Sequence, residues 1–244
     1  MPNQQSAEKR LSSPHFKRVD LSPEPVSIIG GTGALGFGLA LRLAQAGLSV
    51  VIGSRDPARA IEAAGRVADG VAGATVIGLS NADAAAANEM VIFAIPFQNH
   101  AQTLQAIVPS LTSGQLLVDT TVPLAATVGG RATRVLGVWQ GSAAQQAQEI
   151  VGSTVQVVSA LHSVAASHLT DLAVPLDEDT LICGDSKADR ERVARVLGLI
   201  PGLRPVHGGP LEYSRYTEQM TPLLIGLNAR YKTAAGIRFT NLPG

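Results

Sequence analysis

The stretch that decides the fold is residues 26–59, VSIIGGTGALGFGLALRLAQAGLSVVIGSRDPAR. Val26-Ser27-Ile28-Ile29 is an apolar run as long as one buried strand. Gly30, Gly31, Gly33 and Gly36 follow at once. Leu39, Leu41, Leu43 and Ala44 then recur among small residues in a helix that ends at Gly47. A second strand over 48–52 leads into Gly53-Ser54-Arg55. Strand, glycine turn, helix and strand form a βαβ unit of the kind that binds dinucleotides.

The alternation continues outward from that unit. Asp56-Pro57 pairs a capping residue with a proline suited to the first helical position, which predicts a helix over 57–68. A short strand near 75–77, an alanine-rich helix over 81–87 and an apolar strand over 90–95 follow. A helix over 97–111 carries Leu104, Ile107 and Val108 on one face, and the next strand spans 115–119. Beyond an irregular 124–137 come a helix over 142–150, a valine-rich strand over 155–161 and a loop or short helix over 162–168. Then come a strand over 180–183, a helix from Asp185 with Val193, Val196 and Leu197 inside, and an edge strand over 204–207. A long helix over 210–231, interrupted or bent near Pro222, precedes a final strand or extended tail over 236–242. The expected fold is α/β: a doubly wound, mostly parallel Rossmann sheet with a smaller C-terminal α/β domain. The expected division is a flexible tail over 1–25, a nucleotide-binding domain over 26–158 and the smaller domain over 159–244.

Composition narrows the class. Of 244 residues 45% are apolar and only 4% aromatic, so the core is built of Ala, Val, Leu and Ile, as suits a covered parallel sheet. The formal net charge is zero, which provides neither a track for nucleic acid nor attraction to an anionic membrane. No apolar run is long enough to span a bilayer. Cys183 is the one cysteine, which excludes an intramolecular disulfide and a cysteine-based zinc site. No H-x-x-x-H spacing suggests a metal. The first residues are basic but lack an apolar signal core, so the expected location is cytoplasmic.

Gly31-Thr32-Gly33-Ala34-Leu35-Gly36 has the G-x-G-x-x-G spacing. The first glycine permits a tight turn, the second lets backbone approach a pyrophosphate, and the third lets helix and strand pack closely. Phosphate then meets free N–H groups at a helix N-terminus. At the end of the second strand an NAD site would place Asp or Glu against the ribose 2′-OH. This chain has Ser54 and Arg55, with Arg59 one helical turn on. A hydroxyl and two guanidinium groups attract a 2′-phosphate, so the pattern favours NADP. Asp56 reads as the helix cap.

In open α/β sheets ligands lie beyond the carboxyl ends of the strands. Ile95-Pro96-Phe97 and Thr121-Val122-Pro123 occupy such ends. Phe97 and Val122 there either wall a nicotinamide or belong to the core, and spacing alone does not choose. His162 follows a strand and either points into the cleft or is structural. His100, His168 and His207 have weaker claims. Glu212, Arg215, Glu218 and Arg230 read as surface or interface charges. No Ser/His/Asp triad is legible.

Taken together, these pieces resemble the NADP oxidoreductases that use the deazaflavin coenzyme F420. The resemblance rests on IGGTGALGFGLALRLA from Ile29, GSR from Gly53, IPF from Ile95, DTTVPL from Asp119 and GSAAQQAQE from Gly141. It continues through SALHSV from Ser159, CGD from Cys183, PGLRPVHGGPLE from Pro201 and TPLLIGLNARYKTAAGIRF from Thr221. It implies an enzyme that moves hydride between NADP(H) and coenzyme F420, as a homodimer or higher homo-oligomer. It implies that NADP is held by Thr32, Gly33, Ala34, Leu35, Ser54, Arg55 and Arg59, with contacts from Phe97, Val122 and Ala166. It places the deazaflavin over His162 and Val164, reaching Gly236-Ile237. Where some relatives have proline after the His-Ser/Thr-Val/Ile triplet this chain has Ala165, and where some have tryptophan it has Phe97.

Such chemistry needs orientation and exclusion of water more than a strong acid or base. Three other functions suit the same fold. One is an NADPH-dependent reductase of a flavin or metal chelate. Another is a dehydrogenase of small hydroxy acids or imines, which normally needs a long helical domain after the Rossmann unit. The third is a non-catalytic NADP-sensing regulator.

Overall fold

The computed structural model describes residues 24–242. The tail expected over 1–25 lies outside these, apart from its last two residues. Among the described residues eight strands run through one sheet: β1 (Val26–Ile29), β2 (Val50–Ser54), β3 (Val76–Ser80), β4 (Met90–Phe93), β5 (Leu116–Asp119), β6 (Gln156–Ser159), β7 (Glu178–Cys183) and β8 (Leu203–Gly209). Their order is β3-β2-β1-β4-β5-β6-β7-β8. The chain starts in the middle, winds outward to β3, then crosses to β4 and winds the other way. The β1/β4 boundary is therefore the switch point where ligands bind in such sheets.

The central strands are buried on both faces, as their near-continuous apolar sequences require. Side chains alternate between two cores. Val26, Ile28, Met90, Ile92 and Val118 face α1 (Ala34–Gln45) and α2 (Pro57–Gly70), with α7 (Lys187–Leu197) further along. Ile29, Val91, Phe93 and Leu117 face α3 (Asn81–Ala87), α4 (Phe97–Ile107) and α5 (Ala143–Val151). Alanines at 60, 63, 64, 84, 85, 144 and 147 line the buried helix faces and let backbone approach backbone with few aromatics. The caps follow the sequence. Asp56 accepts from Ala58 N–H at 3.0 Å, so its carboxylate is committed to α2. Ser80, Ser142 and Ser186 cap α3, α5 and α7 in the same way.

Two expected helices are shorter than their periodicity suggests, and proline explains both. The helix over 97–111 ends at Ile107 and tightens into a 3₁₀ turn, Val108–Ser110, around Pro109. The helix over 210–231 is a 3₁₀ turn, Leu211–Tyr213, then α8 (Ser214–Thr217) and α9 (Met220–Tyr231). The break falls at Glu218, one turn before Pro222, because proline has no N–H to offer the Glu218 carbonyl.

Parallel pairing ends at β6. β7 runs antiparallel to it, with Cys183 opposite Ser159, the last residue of β6. The rest of β7 therefore stands beyond the carboxyl edge of the parallel strands, beside residues 160–163. Leu161 N–H donates to Thr180 Oγ1 at 2.8 Å and Ser163 Oγ to the Asp179 carbonyl at 2.7 Å. β8 pairs parallel to β7 and continues this raised wall. The chain from Ser159 to Gly209 thus continues from the end of β6 within the same sheet.

Candidate active site

The carboxyl ends of β1, β4, β5 and β6 are in register, with Ile29, Phe93, Asp119 and Ser159 side by side. Each strand feeds a segment singled out in the sequence. β1 enters the glycine turn, β4 enters Ile95-Pro96-Phe97, β5 enters Thr121-Val122 and β6 enters His162-Ser163-Val164. The topology brings these four together along one edge. The Ser54–Arg55–Arg59 group lies one strand further, after β2.

At the glycine turn, the left-handed residue is Gly30, at φ +79°, rather than Gly31. Gly30 and Gly31 both donate N–H to the Gly53 carbonyl, at 3.1 and 3.2 Å, tying the turn to the end of β2. A Cβ on Gly31 would lie 2.9 Å from Ile52 Cγ2, and one on Gly36 would lie 2.5 Å from the Gly30 carbonyl oxygen. Gly31 and Gly36 are thus required by packing and Gly30 by conformation. Gly33 begins α1 with no capping side chain, and the first turn of α1 has no acidic residue. The first N–H groups of α1 are therefore left to an anion, at the positive end of the helix. Ser54 is buried and accepts from Asp56 N–H at 3.2 Å, while Arg55 and Arg59 are exposed beyond it.

Phe97 and Val122 are half-buried and Pro96 is exposed, so neither Phe97 nor Val122 is a core residue. His162 is buried and follows Leu161, which is held at φ +70°. A leucine there is strained, and strain of this kind concentrates at functional sites. His162 Nδ1 lies 3.0 Å from Thr217 Oγ1, and its backbone carbonyl accepts from Thr221 Oγ1 at 2.5 Å. Its Nε2 has no hydrogen-bond partner among the described residues. Burial drives the imidazole down to about 4, and nearby Asp119 offsets this only in part, so His162 is neutral near pH 7. Val164 is buried and Ala166 half-buried.

Three features of the cleft were not read from the sequence. The first is a buried pair, His100 Nε2 to Asp119 Oδ2 at 2.7 Å, with both side chains sequestered. Burial opposes the imidazolium, but the carboxylate and Gln146 outweigh it and raise His100; His100 and Thr121 likewise hold Asp119 low against its burial. The second is Glu218. Expected at the surface, it is 2% exposed and accepts from Ala143 and Ala144 N–H at 3.0 and 3.2 Å, capping α5. A carboxylate in an apolar-looking helix was misread because its partners are backbone amides far off in sequence. The third is Arg42, 1% exposed in α1. It donates to the carbonyls of His168, Leu169, Asp171 and Val174. These lie at the end of α6 (Ala166–Leu169) and just after it, so a buried cation serves as its C-cap. Gly38 completes this contact: a Cβ there would lie 2.5 Å from Leu169 Cβ. Arg42 and Gly38 thus hold the segment that carries His162 and Val164 against the helix of the glycine turn.

The C-terminal segment also reaches the site. Asp179 N–H donates to the Ile237 carbonyl at 2.7 Å, and the Asp179 carboxylate accepts from Arg204, Arg238 and Phe239 N–H. Burial would raise this carboxyl, but Arg204 and its other donors hold it low. The exposed Gly236 lies on Glu178, where a Cβ would come within 2.4 Å of that side chain.

Comparison with known proteins agrees with this geometry. Residues 25–123 match a family model described as NADP oxidoreductase, coenzyme F420-dependent. The chain is 40% identical over 223 residues to the F420-dependent NADP reductase of Methanothermobacter thermautotrophicus, covering 89% of this chain and 95% of that one. A crystal structure of a proposed F420-dependent NADP-reductase from Arthrobacter sp. FB24 superposes with a TM-score of 0.74 at 26% identity, covering 88% of this chain and all of that one. The 3-hydroxyisobutyrate dehydrogenase of Mycobacterium tuberculosis superposes with a TM-score of 0.61 at 15% identity, which shows a shared fold alone; 86% of this chain covers only 62% of that one.

Proposed function

Because the chain belongs to the family of coenzyme F420-dependent NADP oxidoreductases, we infer that the strand-end cleft is where it works, with one cofactor on each side. The protein is an oxidoreductase that transfers a hydride between NADP(H) and coenzyme F420. The observation that carries the assignment of sides is the uncapped, acid-free N-terminus of α1 facing one side of the edge, with the unpartnered Nε2 of His162 on the other.

The residues fit both groups. Thr32, Gly33, Ala34 and Leu35 would present N–H groups to the pyrophosphate, with Gly31 and Gly36 keeping the backbone close. Ser54, Arg55 and Arg59 would hold the 2′-phosphate. Pro96, Phe97, Val122 and Ala166 would bound the nicotinamide. The deazaflavin would lie over His162 and Val164 and reach Gly236 and Ile237, the latter held by Asp179. The buried His162 Nε2, without a side-chain partner among the described residues, would offer a bound ring a hydrogen bond. When bound, NADPH supplies the hydride and the deazaflavin receives it together with a proton from solvent, or the reverse. The protein contributes orientation and a water-poor wall of small apolar side chains.

The division at 158/159 has a functional sense in this reading. Residues 26–158 form most of the NADP side, to which Ala166 is added, and residues 159–242 raise the opposite wall. A homodimer is proposed through the outer face of α9. There Leu223, Leu227 and Tyr231 are exposed beside a cavity of about 840 Å³ lined with residues 133–137. No helix among the described residues is long and apolar enough to cross a membrane, and a cytoplasmic location is proposed. The test of the function is direct: mix the purified protein with NADPH and oxidised coenzyme F420 and follow loss of the deazaflavin's visible absorbance. Turnover on a flavin but not on the deazaflavin would overturn the reading.

A further inference from the structure

The loops that follow β4 and β5 form the floor between the glycine turn and His162. They are joined by their own hydrogen bonds. Thr120 Oγ1 donates to the Phe93 carbonyl and Thr121 Oγ1 to the Ile95 carbonyl, each at 3.1 Å. Asp119 and His100 brace this junction from beneath. Asp119 Oδ1 accepts from Thr121 N–H at 2.8 Å, fixing the residue before Val122. Asp119 Oδ2 meets His100 Nε2 at 2.7 Å. His100 lies on α4, three residues after Phe97, and its ring stacks on Phe97 at 6.0 Å between centroids with 30° between planes. It also meets Phe93 in an edge-to-face contact, 5.5 Å between centroids. His100 Nδ1 is held by Gln146 of α5 at 3.2 Å.

One buried pair therefore touches both walls assigned above to the nicotinamide. Phe97 rests on the imidazole, and Val122 follows the amide that the carboxylate fixes. Neither His100 nor Asp119 approaches Ser54, Arg55 or Arg59, which are carried by β2 and α2. Stability alone does not demand such a pair. A buried ion pair is on balance often replaceable by apolar residues, and it specifies one arrangement of what it touches.

We propose that His100 and Asp119 are positioning residues for hydride transfer: they lock Phe97 and Val122 at the spacing that holds the nicotinamide against the second ring. The inference rests on the proposed placement of NADP. It separates two functions within the cofactor site, with 2′-phosphate affinity set at β2 and ring placement set at His100–Asp119. Near-attack geometry is sensitive to displacements of about 1 Å, so loosening the pair affects the chemical step rather than the anchoring of the cofactor.

The test compares His100→Ala and His100→Gln in the full chain, using NADPH and NADPH deuterated at the transferred position. For His100→Ala, kcat should fall about tenfold while the KM for NADPH stays within about twofold. The isotope effect should become larger and more temperature-dependent. His100→Gln, whose amide can still donate to Asp119, should recover part of kcat. An unchanged kcat and isotope effect in His100→Ala would overturn the proposal, as would equal losses in both variants or a parallel loss in kcat and NADPH affinity. Should His100→Ala not fold, Gln146→Leu removes the bond that holds His100 Nδ1 from α5 and so loosens the imidazole beside Asp119 and Phe97. It must raise the isotope effect at constant KM, and an unchanged effect overturns the proposal. Absence of turnover by the unmodified protein would instead refute the functional reading on which this rests.

Discussion

Glu218→Gln should make the protein more stable in mild alkali and slightly less stable in acid. Glu218 is 2% exposed and keeps two backbone amides at the start of α5 as partners. Burial is the largest influence on its carboxyl. The two N–H donors oppose that influence and the Asp119 carboxylate adds to it, and the result is a group pushed up from 4.5 to about 8. In the unfolded chain the same carboxyl ionises at its ordinary value. Between these limits the folded state binds the extra proton, so stability falls as pH rises. The contribution is fully present below about pH 4.5, declines by about 1.4 kcal/mol per pH unit and is gone once pH passes about 8. The whole span is on the order of 5 kcal/mol. Glutamine has the same shape, no charge and one acceptor oxygen for one of the two amides. Its loss of one acceptor costs about 1 kcal/mol. Urea denaturation of both proteins from about pH 5 to about pH 8.5 should therefore give curves that cross, with the variant less stable by about 1 kcal/mol at the acid end and more stable by several at the alkaline end. His100, Asp119 and His162 titrate in both proteins, so comparing the two largely removes their effect. Parallel curves, or a variant weaker at every pH, would mean that Glu218 is an ionised helix cap and would refute the reasoning.

Other expectations concern the cofactor edge and the outer face. Arg55→Glu should raise the KM for NADPH by about 10- to 100-fold, since it removes a charge-assisted hydrogen bond and adds repulsion, and should change the KM for NADH little; equal effects on both would remove Arg55 from the 2′-phosphate. Its exposure means the melting temperature should hardly move. Gly36→Ala gains about 1 kcal/mol of helix propensity but places a Cβ 2.5 Å from the Gly30 oxygen. Calorimetry should show a net loss of about 1–2 kcal/mol and titration should show NADPH binding lost; a stabilised variant that binds normally would mean the turn yields. Leu227→Arg should shift the sedimentation coefficient to that of a monomer, and an unchanged value would place any dimer contact away from α9.

The glycine turn and the elements around it were legible because they are local. Strand, turn, helix and strand lie within residues 26–59, and each capping or glycine position acts on a neighbour a few residues away. Even there one detail was displaced. The spacing assigns the tight turn to Gly31, whereas Gly30 takes the left-handed conformation and Gly31 is needed for its approach to Ile52. A motif written as a pattern of glycines does not say which of them supplies conformation and which supplies space. Arg42, His100, Asp119 and Glu218 were not legible because each acts on a partner in another element of the chain. Arg42 binds carbonyls more than 120 positions away, and Glu218 caps a helix 75 positions earlier. On a sequence Arg42 reads as an arginine in an apolar helix and Glu218 as a surface charge within the helix over 210–231. Only burial distinguishes them from solvated charges.

The second half of the cleft depends on the direction of one strand. Were β7 parallel to β6, its amino end would lie at the opposite edge, and Glu178 and Asp179 would be far from His162 and Ser163. Because Cys183 pairs with Ser159, the amino end of β7 stands beyond the strand ends instead. That reversal places a buried carboxylate, Asp179, at the height of His162 and Ser163. Asp179 then binds Arg204, Arg238 and the Phe239 amide, and its own N–H holds the Ile237 carbonyl. A chain end with little regular structure is thereby fixed to the wall of the site. One antiparallel pairing at β6 extends the Rossmann sheet past its own edge, and the opposite wall follows from that pairing.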